Sequence, residues 1–180
     1  MMDIDFGLSV WGDDNYILDG DDILVNHANK PSLWEITNDV RSRGYRGPIL
    51  LRFPHLIKKQ VNNLFSAFAD AREEFDYKGS FHALFPLKVN QYPNFVNSLM
   101  LVSSEYSYGL EAGSKAELII AMAKTPLGSP ITVNGFKDKE MIALTFIAAK
   151  SGHNITVTIE GLAELETIIE AHKEFNQNSE

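Results

Sequence analysis

The sequence contains no cysteine, which excludes disulfides, thiolate metal sites and a cysteine nucleophile within these 180 residues. No apolar run approaches the ~20 residues that a helix needs to cross a bilayer. The amino terminus reads Met-Met-Asp-Ile-Asp and has neither the basic region nor the apolar core of a signal peptide. These absences predict a cytoplasmic protein without a membrane span.

Positive charge is also scarce, since 16 Lys and Arg residues face 24 Asp and Glu residues and give a net charge of −8. Nucleic-acid binding usually needs a basic face, so this balance argues against it. The five histidines show no spacing typical of metal ligands, and no metal site is predicted from them. The apolar fraction of 44% is that of an ordinary globular protein.

The first part of the chain has the pattern of short strands around one helix. Two apolar runs flank an Asp-Gly pair and predict a hairpin over residues 16–25. Ser32 and Glu35 match a capping box, which predicts a helix start. A short apolar run over residues 49–53 predicts a further strand. We therefore expect residues 1–53 to form a lead-in segment of strands and a helix.

From residue 54 to residue 180 the pattern becomes regular, beginning with a long amphipathic helix over 54–76. Predicted strands then alternate with predicted helices in the order 81–88, 94–102, 107–111, 115–124, 131–134, 139–150, 154–160 and 162–175. Strict alternation of this kind predicts an α/β domain with a parallel sheet and helical crossovers.

The strands alternate in polarity, which bears on the kind of α/β fold. In strand 154–160 the residues Ile155 and Val157 take one parity and Thr156 and Thr158 the other. Apolar residues on one face suit packing against helices, and polar residues on the other suit a barrel interior or a ligand crevice. The nearly equal strand spacing favours a (β/α)8 barrel, although a doubly wound sheet would also alternate.

Lys88 stands at the end of the otherwise apolar strand 81–88 and has two interpretations. It is either a solvent-facing lysine at the end of a strand, or an amine in a barrel mouth. In the second case a neutral amine could form an imine with a carbonyl cofactor.

Four segments decide between these interpretations, because together they resemble the biosynthetic arginine decarboxylases, within the fold-type III pyridoxal-phosphate enzymes. The resemblance covers residues 48–165, with the segments in order along the chain. They read Leu50-Leu-Arg-Phe-Pro54, Phe85-Pro-Leu-Lys-Val-Asn-Gln91, Tyr108-Gly-Leu-Glu-Ala-Gly-Ser-Lys-Ala-Glu-Leu118 and Asn134-Gly-Phe-Lys-Asp-Lys-Glu140.

The resemblance implies a fold and an activity. The fold is the truncated amino-terminal half of an alanine racemase-like (β/α)8 barrel, preceded by part of a β-domain. The activity is decarboxylation of L-arginine to agmatine and carbon dioxide in putrescine and spermidine biosynthesis, by a homo-oligomer that uses pyridoxal phosphate and magnesium. These 180 residues alone are expected to be inactive, because the other half of such a barrel carries further cofactor- and substrate-binding groups.

The resemblance also assigns roles to single residues. Lys88 is the catalytic lysine and holds pyridoxal phosphate as a Schiff base. Glu111 lies beside the cofactor or forms a structural ion pair, with Lys137 as its natural partner. Asn134 binds the cofactor or simply makes a strand-to-helix turn. Two alternative functions stay open: a decarboxylase or racemase for another amino acid, and a truncated protein that binds pyridoxal phosphate without catalysis.

Overall fold

The computed structural model describes residues 6–177. The chain divides into two compact units, Met1–Leu56 and Ile57–Glu180. Since helix α3 (His55–Glu74) begins just before the division, almost all of it belongs to the second unit.

The first unit is built on a two-stranded hairpin. After a short helix α1 (Leu8–Trp11), strands β1 (Tyr16–Asp19) and β2 (Asp22–Val25) pair antiparallel, with Asp19 opposite Asp22. Helix α2 (Leu33–Ser42) follows, and the Ser32 side chain accepts a hydrogen bond from the Glu35 backbone N–H over 3.0 Å. The hairpin and the capped helix predicted for this region are confirmed.

Two histidines meet in this first unit. The rings of His27 and His55 lie 4.5 Å apart, and His55 Nε2 is buried without a hydrogen-bond partner in the described part of the chain. Burial lowers the pKa of His55 below its ordinary value, and the neighbouring His27 lowers it further. The folded state therefore disfavours a charged imidazole at this position.

We expect acid to destabilise the protein through His55. Because the pKa is lower in the folded state, the unfolded state binds more protons as the pH falls below about 6.5. Stability should therefore decrease from pH 7.5 to pH 5.5, and a His55→Gln variant should lose part of this dependence. Urea unfolding at both pH values measures the effect, with a substitution at an exposed histidine, His172→Gln, as the control. An equal pH dependence in wild type and His55→Gln would contradict this account.

The second unit alternates strands and helices after α3. Its strands are β3 (Ala83–Pro86), β4 (Tyr108–Ala112), β5 (Pro130–Val133) and β6 (Asn154–Val157). Its helices are α4 (Pro93–Ser103), α5 (Lys115–Lys124), α6 (Lys139–Lys150) and α7 (Leu162–Gln177). The four strands form one parallel sheet in the order β3-β4-β5-β6, so the predicted α/β class and parallel sheet are confirmed.

The hydrophobic core lies between one face of this sheet and the helices. The inward residues of the central strands are fully buried: Leu110, Ala112, Ile131 and Val133. They belong to the same core as Leu99, Leu118 and Met141 from three different helices. Each such aliphatic side chain contributes about 1.5–3 kcal/mol when fully buried. This burial fixes the register of the strands, since a slip by one residue would turn polar residues into the core.

The opposite face of the sheet carries a row of residues that lie side by side across the strands. In the pairing register Pro86 lies opposite Glu111, Glu111 opposite Thr132, and Thr132 opposite Thr156. Successive residues of a strand point to opposite faces. The polar parity predicted from the sequence is therefore a polar row across β4, β5 and β6 on one face of the sheet, with Pro86 beside it on β3.

Three strand predictions need correction. The strand predicted over 81–88 ends at Pro86, because residues Leu87–Val89 leave the sheet in a 3-10 turn with Leu87 fully buried. The strand predicted over 154–160 ends at Val157. Residues 49–53 form no strand, since no described segment pairs with them in a ladder.

Candidate functional site

The candidate site lies at the carboxyl edge of the four-stranded sheet. Lys88 is in the turn that follows β3, Glu111 is the penultimate residue of β4, and Asn134 directly follows β5. Because the strands are parallel, their carboxyl ends meet at one edge, and this edge is where ligands bind in α/β proteins.

Lys88 and Glu111 form an ion pair across the first two strands of the sheet. Lys88 Nζ lies 3.4 Å from Glu111 Oε1. The Lys88 side chain is 62% exposed, whereas the Glu111 side chain is only 13% exposed. A pair with one exposed partner adds little stability, but it directs the Lys88 amine toward Glu111, a member of the row across the sheet.

Lys137 does not pair with Glu111, so the predicted structural partnership between these two residues is wrong. Lys137 Nζ lies 2.8 Å from Glu164 Oε1, and its side chain has no exposed surface. Lys137 also donates a hydrogen bond to the carbonyl oxygen of Gly135. Glu111 pairs with Lys88 instead. The Lys137–Glu164 pair connects the loop after β5 to the first turn of α7.

The environment of Glu164 favours its charged form. Its side chain is 15% exposed. The hydrogen bond from Lys137 lowers the pKa of the Glu164 carboxyl, and the Glu160 backbone N–H, which donates to Oε2 over 2.8 Å, lowers it further. This is a buried ion pair whose two charges are both compensated.

Asn134 makes the turn after β5. Its Oδ1 accepts a hydrogen bond from the Gly135 N–H over 2.9 Å, and its own backbone N–H donates to Ala112 O. Gly135 adopts a φ of +83°, and a Cβ there would lie 2.8 Å from Gly113 O. The turn interpretation of Asn134 therefore has a clear structural basis, and binding of a ligand by its amide nitrogen stays a prediction.

The sequence pairs Ser114 with Glu117 as a capping box, a pattern that describes Glu117 only as a capping residue and does not report its second contact. Glu117 is 9% exposed and accepts two hydrogen bonds, one through each carboxylate oxygen. Gly113 N–H donates to Oε2 over 2.7 Å, and Gln91 Nε2 donates to Oε1 over 2.9 Å. Gln91 belongs to the loop that carries Lys88, so Glu117 connects that loop to the β4–α5 turn.

A third contact also joins two loops at the carboxyl edge of the sheet. Lys115, at the start of α5, lies 2.8 Å from Asp138, the N-cap residue of α6, and also pairs with Glu140. Together with the Gln91–Glu117 and Lys137–Glu164 contacts, it links each loop at this edge to the next one. The carboxyl edge is thus a connected polar structure rather than four independent loops.

The described residues contain no cluster of three or more His, Cys, Asp or Glu side chains that could hold a metal ion. Within the same residues no helix combines the length and apolarity needed to cross a membrane. The fold and the site together define an α/β protein of the parallel-sheet class, with a lysine-centred polar site at the carboxyl edge of its strands.

Comparison with known proteins identifies relatives of the chain. No family model matches it. The biosynthetic arginine decarboxylase of Pseudomonas aeruginosa is 35% identical over 170 residues, which cover 92% of this chain and 27% of that protein. The Gloeobacter violaceus protein of the same name is 40% identical over 141 residues, or 77% of this chain and 22% of that protein.

A solved structure agrees with these matches. The crystal structure of the biosynthetic arginine decarboxylase from Campylobacter jejuni is 56% identical and superposes with a TM-score of 0.91, over 95% of this chain and 29% of that one. This chain is a relative of the biosynthetic arginine decarboxylases, which confirms the resemblance indicated by its four motifs. It spans about a quarter of the length of the curated relatives it matches.

Proposed function

We propose that this chain forms the amino-terminal, lysine-bearing part of an arginine decarboxylase. The complete enzyme would convert L-arginine to agmatine and carbon dioxide in polyamine biosynthesis. The observation that carries the proposal is Lys88 at the carboxyl edge, within a chain similar over 95% of its length to the Campylobacter jejuni decarboxylase. Similarity at this level supports a shared reaction as well as a shared fold.

We propose further that strands β3 to β6 are the first half of a (β/α)8 barrel of the alanine racemase type. Their parallel order and the polar row on the face away from the helices support this arrangement. In a closed barrel the polar row would face the interior, and the free edges of β3 and β6 would pair with further strands. Residues 1–53 would then belong to a β-domain.

Pyridoxal phosphate is the cofactor that we propose, and the chemistry of Lys88 fits it. Lys88 offers a primary amine on an exposed side chain whose ion-pair partner is 3.4 Å away, so the amine can be reached by an aldehyde. When bound, pyridoxal phosphate supplies a conjugated ring that accepts the electron pair released as the substrate carboxylate leaves.

The residues of this chain would position groups and hold protons. Only the neutral amine has the lone pair needed to attack a carbonyl carbon. Glu111 Oε1 can accept a proton from Lys88 Nζ and return it, because the two atoms lie 3.4 Å apart. The ion pair supports a position for Glu111 beside the proposed cofactor. We propose a weaker role for Asn134, whose Nδ2 could donate to the cofactor from the next loop.

Magnesium does not fit the described residues, which offer no cluster of ligands for it. The homo-oligomeric state implied by the resemblance and the cytoplasmic location expected from the sequence stay predictions.

The complete enzyme should release carbon dioxide from carboxyl-labelled L-arginine and form agmatine. The measurement compares arginine with lysine, ornithine and diaminopimelate at equal concentrations, with and without added pyridoxal phosphate. Arginine should be preferred, and activity should depend on the cofactor. Preference for another amino acid, racemisation without release of carbon dioxide, or cofactor binding without turnover would each contradict the proposed function.

A further inference from the structure

We infer that Glu117 is a positioning residue for Lys88, acting through Gln91. The inference rests on the proposed role of Lys88 and adds a residue that fixes the loop carrying it. Glu117 itself is not placed in contact with cofactor or substrate. It determines where the loop that carries Lys88 (residues 87–92, the lysine loop) lies relative to β4.

Both carboxylate oxygens of Glu117 are used, and they bind groups from two different loops. In an ordinary capping box the glutamate at this position binds the backbone at the start of its own helix. Glu117 keeps that local role, since Gly113 N–H donates to Oε2 and the Ser114 side chain accepts from the Glu117 backbone N–H over 3.3 Å. Its Oε1 accepts from Gln91 Nε2, 26 residues earlier in the chain.

The Gln91–Glu117 contact is important because Gln91 lies close to Lys88 in the chain. Gln91 lies three residues after Lys88, and between them the chain leaves the 3-10 turn and passes through Asn90 toward α4. The Lys88 side chain is long and mostly exposed, so few contacts along its length hold it. The place of its amine therefore depends on the backbone of the loop and on Glu111.

Two contacts thus hold the lysine loop against β4 from opposite ends. The Lys88–Glu111 ion pair fixes the side chain at the end of the strand, and the Gln91–Glu117 hydrogen bond fixes the loop behind it. The second contact is the shorter of the two, 2.9 Å against 3.4 Å, and its carboxylate belongs to the buried Glu117. Losing it would let the loop move while the sheet and its core stay intact.

The test uses three variants of the complete enzyme, Glu117→Gln, Gln91→Ala, and the double exchange Gln91→Glu/Glu117→Gln. In Glu117→Gln the carboxylate becomes a neutral amide, so both contacts lose the strength that a charged acceptor gives them. In the double exchange the new amide at 117 can accept from Gly113 N–H and donate to the new carboxylate at 91. The contact between positions 91 and 117 then has a charged acceptor again, with donor and acceptor exchanged. Lys139→Ala is the matched control, because it removes a surface ion pair between α6 and α7.

We expect amide hydrogen exchange of residues 87–92 in the cofactor-free protein to become faster in both single variants and to recover in the double exchange. The kcat for arginine should fall about ten- to hundredfold in the single variants, with little change in KM, as expected when a reacting group is misplaced by about 1 Å. The double exchange should recover most of this loss. Lys139→Ala should match wild type in both measurements.

Unchanged exchange in residues 87–92 in both single variants would overturn the inference. It would also be overturned if the double exchange folded with the thermal stability of wild type and failed to recover kcat. If Glu117→Gln does not fold, Gln91→Ala decides the question, because it removes only the contact between the loops. An inactive wild type would contradict the proposed function, and the exchange measurement alone would then decide the role of Glu117.

Discussion

Replacing Lys88 with alanine should lower kcat of the complete enzyme for arginine by at least roughly 10³-fold, as expected when a covalent nucleophile is removed. The fold should tolerate the change, because the Lys88 side chain is 62% exposed and its ion pair with Glu111 is partly solvated. The thermal midpoint should therefore stay close to that of wild type. Steady-state kinetics and thermal unfolding measure the two effects separately.

Two further variants show whether charge or the amine itself matters. Lys88→Arg keeps the positive charge beside Glu111 but has no primary amine, so it should be as inactive as Lys88→Ala. Lys58→Ala is the control, because Lys58 is also a partly exposed, ion-paired lysine and lies outside the candidate site. Substantial activity in Lys88→Arg would show that this residue acts only through its charge.

Replacing Glu164 with leucine should lower the free energy of unfolding, because it leaves the buried ammonium of Lys137 without its carboxylate. The double variant Lys137→Met/Glu164→Leu should recover much of this loss, since it removes both charges at once. Urea unfolding at pH 7 gives the differences in the free energy of unfolding. Lys139→Ala, which breaks exposed pairs, should lower it much less than Glu164→Leu.

The same pair predicts a dependence on acid. Since the pKa of Glu164 is lowered in the folded state, the unfolded state takes up more protons as the pH falls into the acid range. The stability provided by Glu164 is thus present at neutral pH and is lost as its carboxyl becomes protonated. The Lys137→Met/Glu164→Leu variant should lack this part of the acid dependence. A Glu164→Leu variant as stable as wild type would contradict the buried pair.

The sequence was sufficient to predict the α/β class, the parallel sheet and the edge where the site lies. Each of these follows from patterns that burial imposes along the chain, such as the alternation of Ile155 and Val157 with Thr156. The four motifs also placed Lys88, Glu111 and Asn134 at that edge before any contact was known.

The pairing of side chains could not be predicted in the same way. Lys137 lies close in sequence to the β5 edge, and the sequence indicated only Glu111 as its partner. Which carboxylate it meets depends on the path of α7, whose first turn brings Glu164 to within 2.8 Å. The second contact of Glu117 was hidden for a similar reason, since a capping pattern describes one helix and cannot report a partner in another loop.

Two predictions about strands also differ from the structure, one at Lys88 and one at residues 49–53. Lys88 shares the parity of Pro86 in the sequence, but the backbone turns before it and Leu87 enters the core. Residues 49–53 have the composition of a strand and form none, because a strand exists only where a neighbouring segment pairs with it.

The account depends most on Lys88, and covalent labelling tests it directly. The complete enzyme is loaded with pyridoxal phosphate, reduced with borohydride, digested and analysed by mass spectrometry. We predict that the pyridoxyl mass is found on Lys88, in the peptide containing Phe85-Pro-Leu-Lys-Val-Asn90, and is absent from Lys88→Arg. The pyridoxyl mass on a different lysine, or on none, would contradict the account.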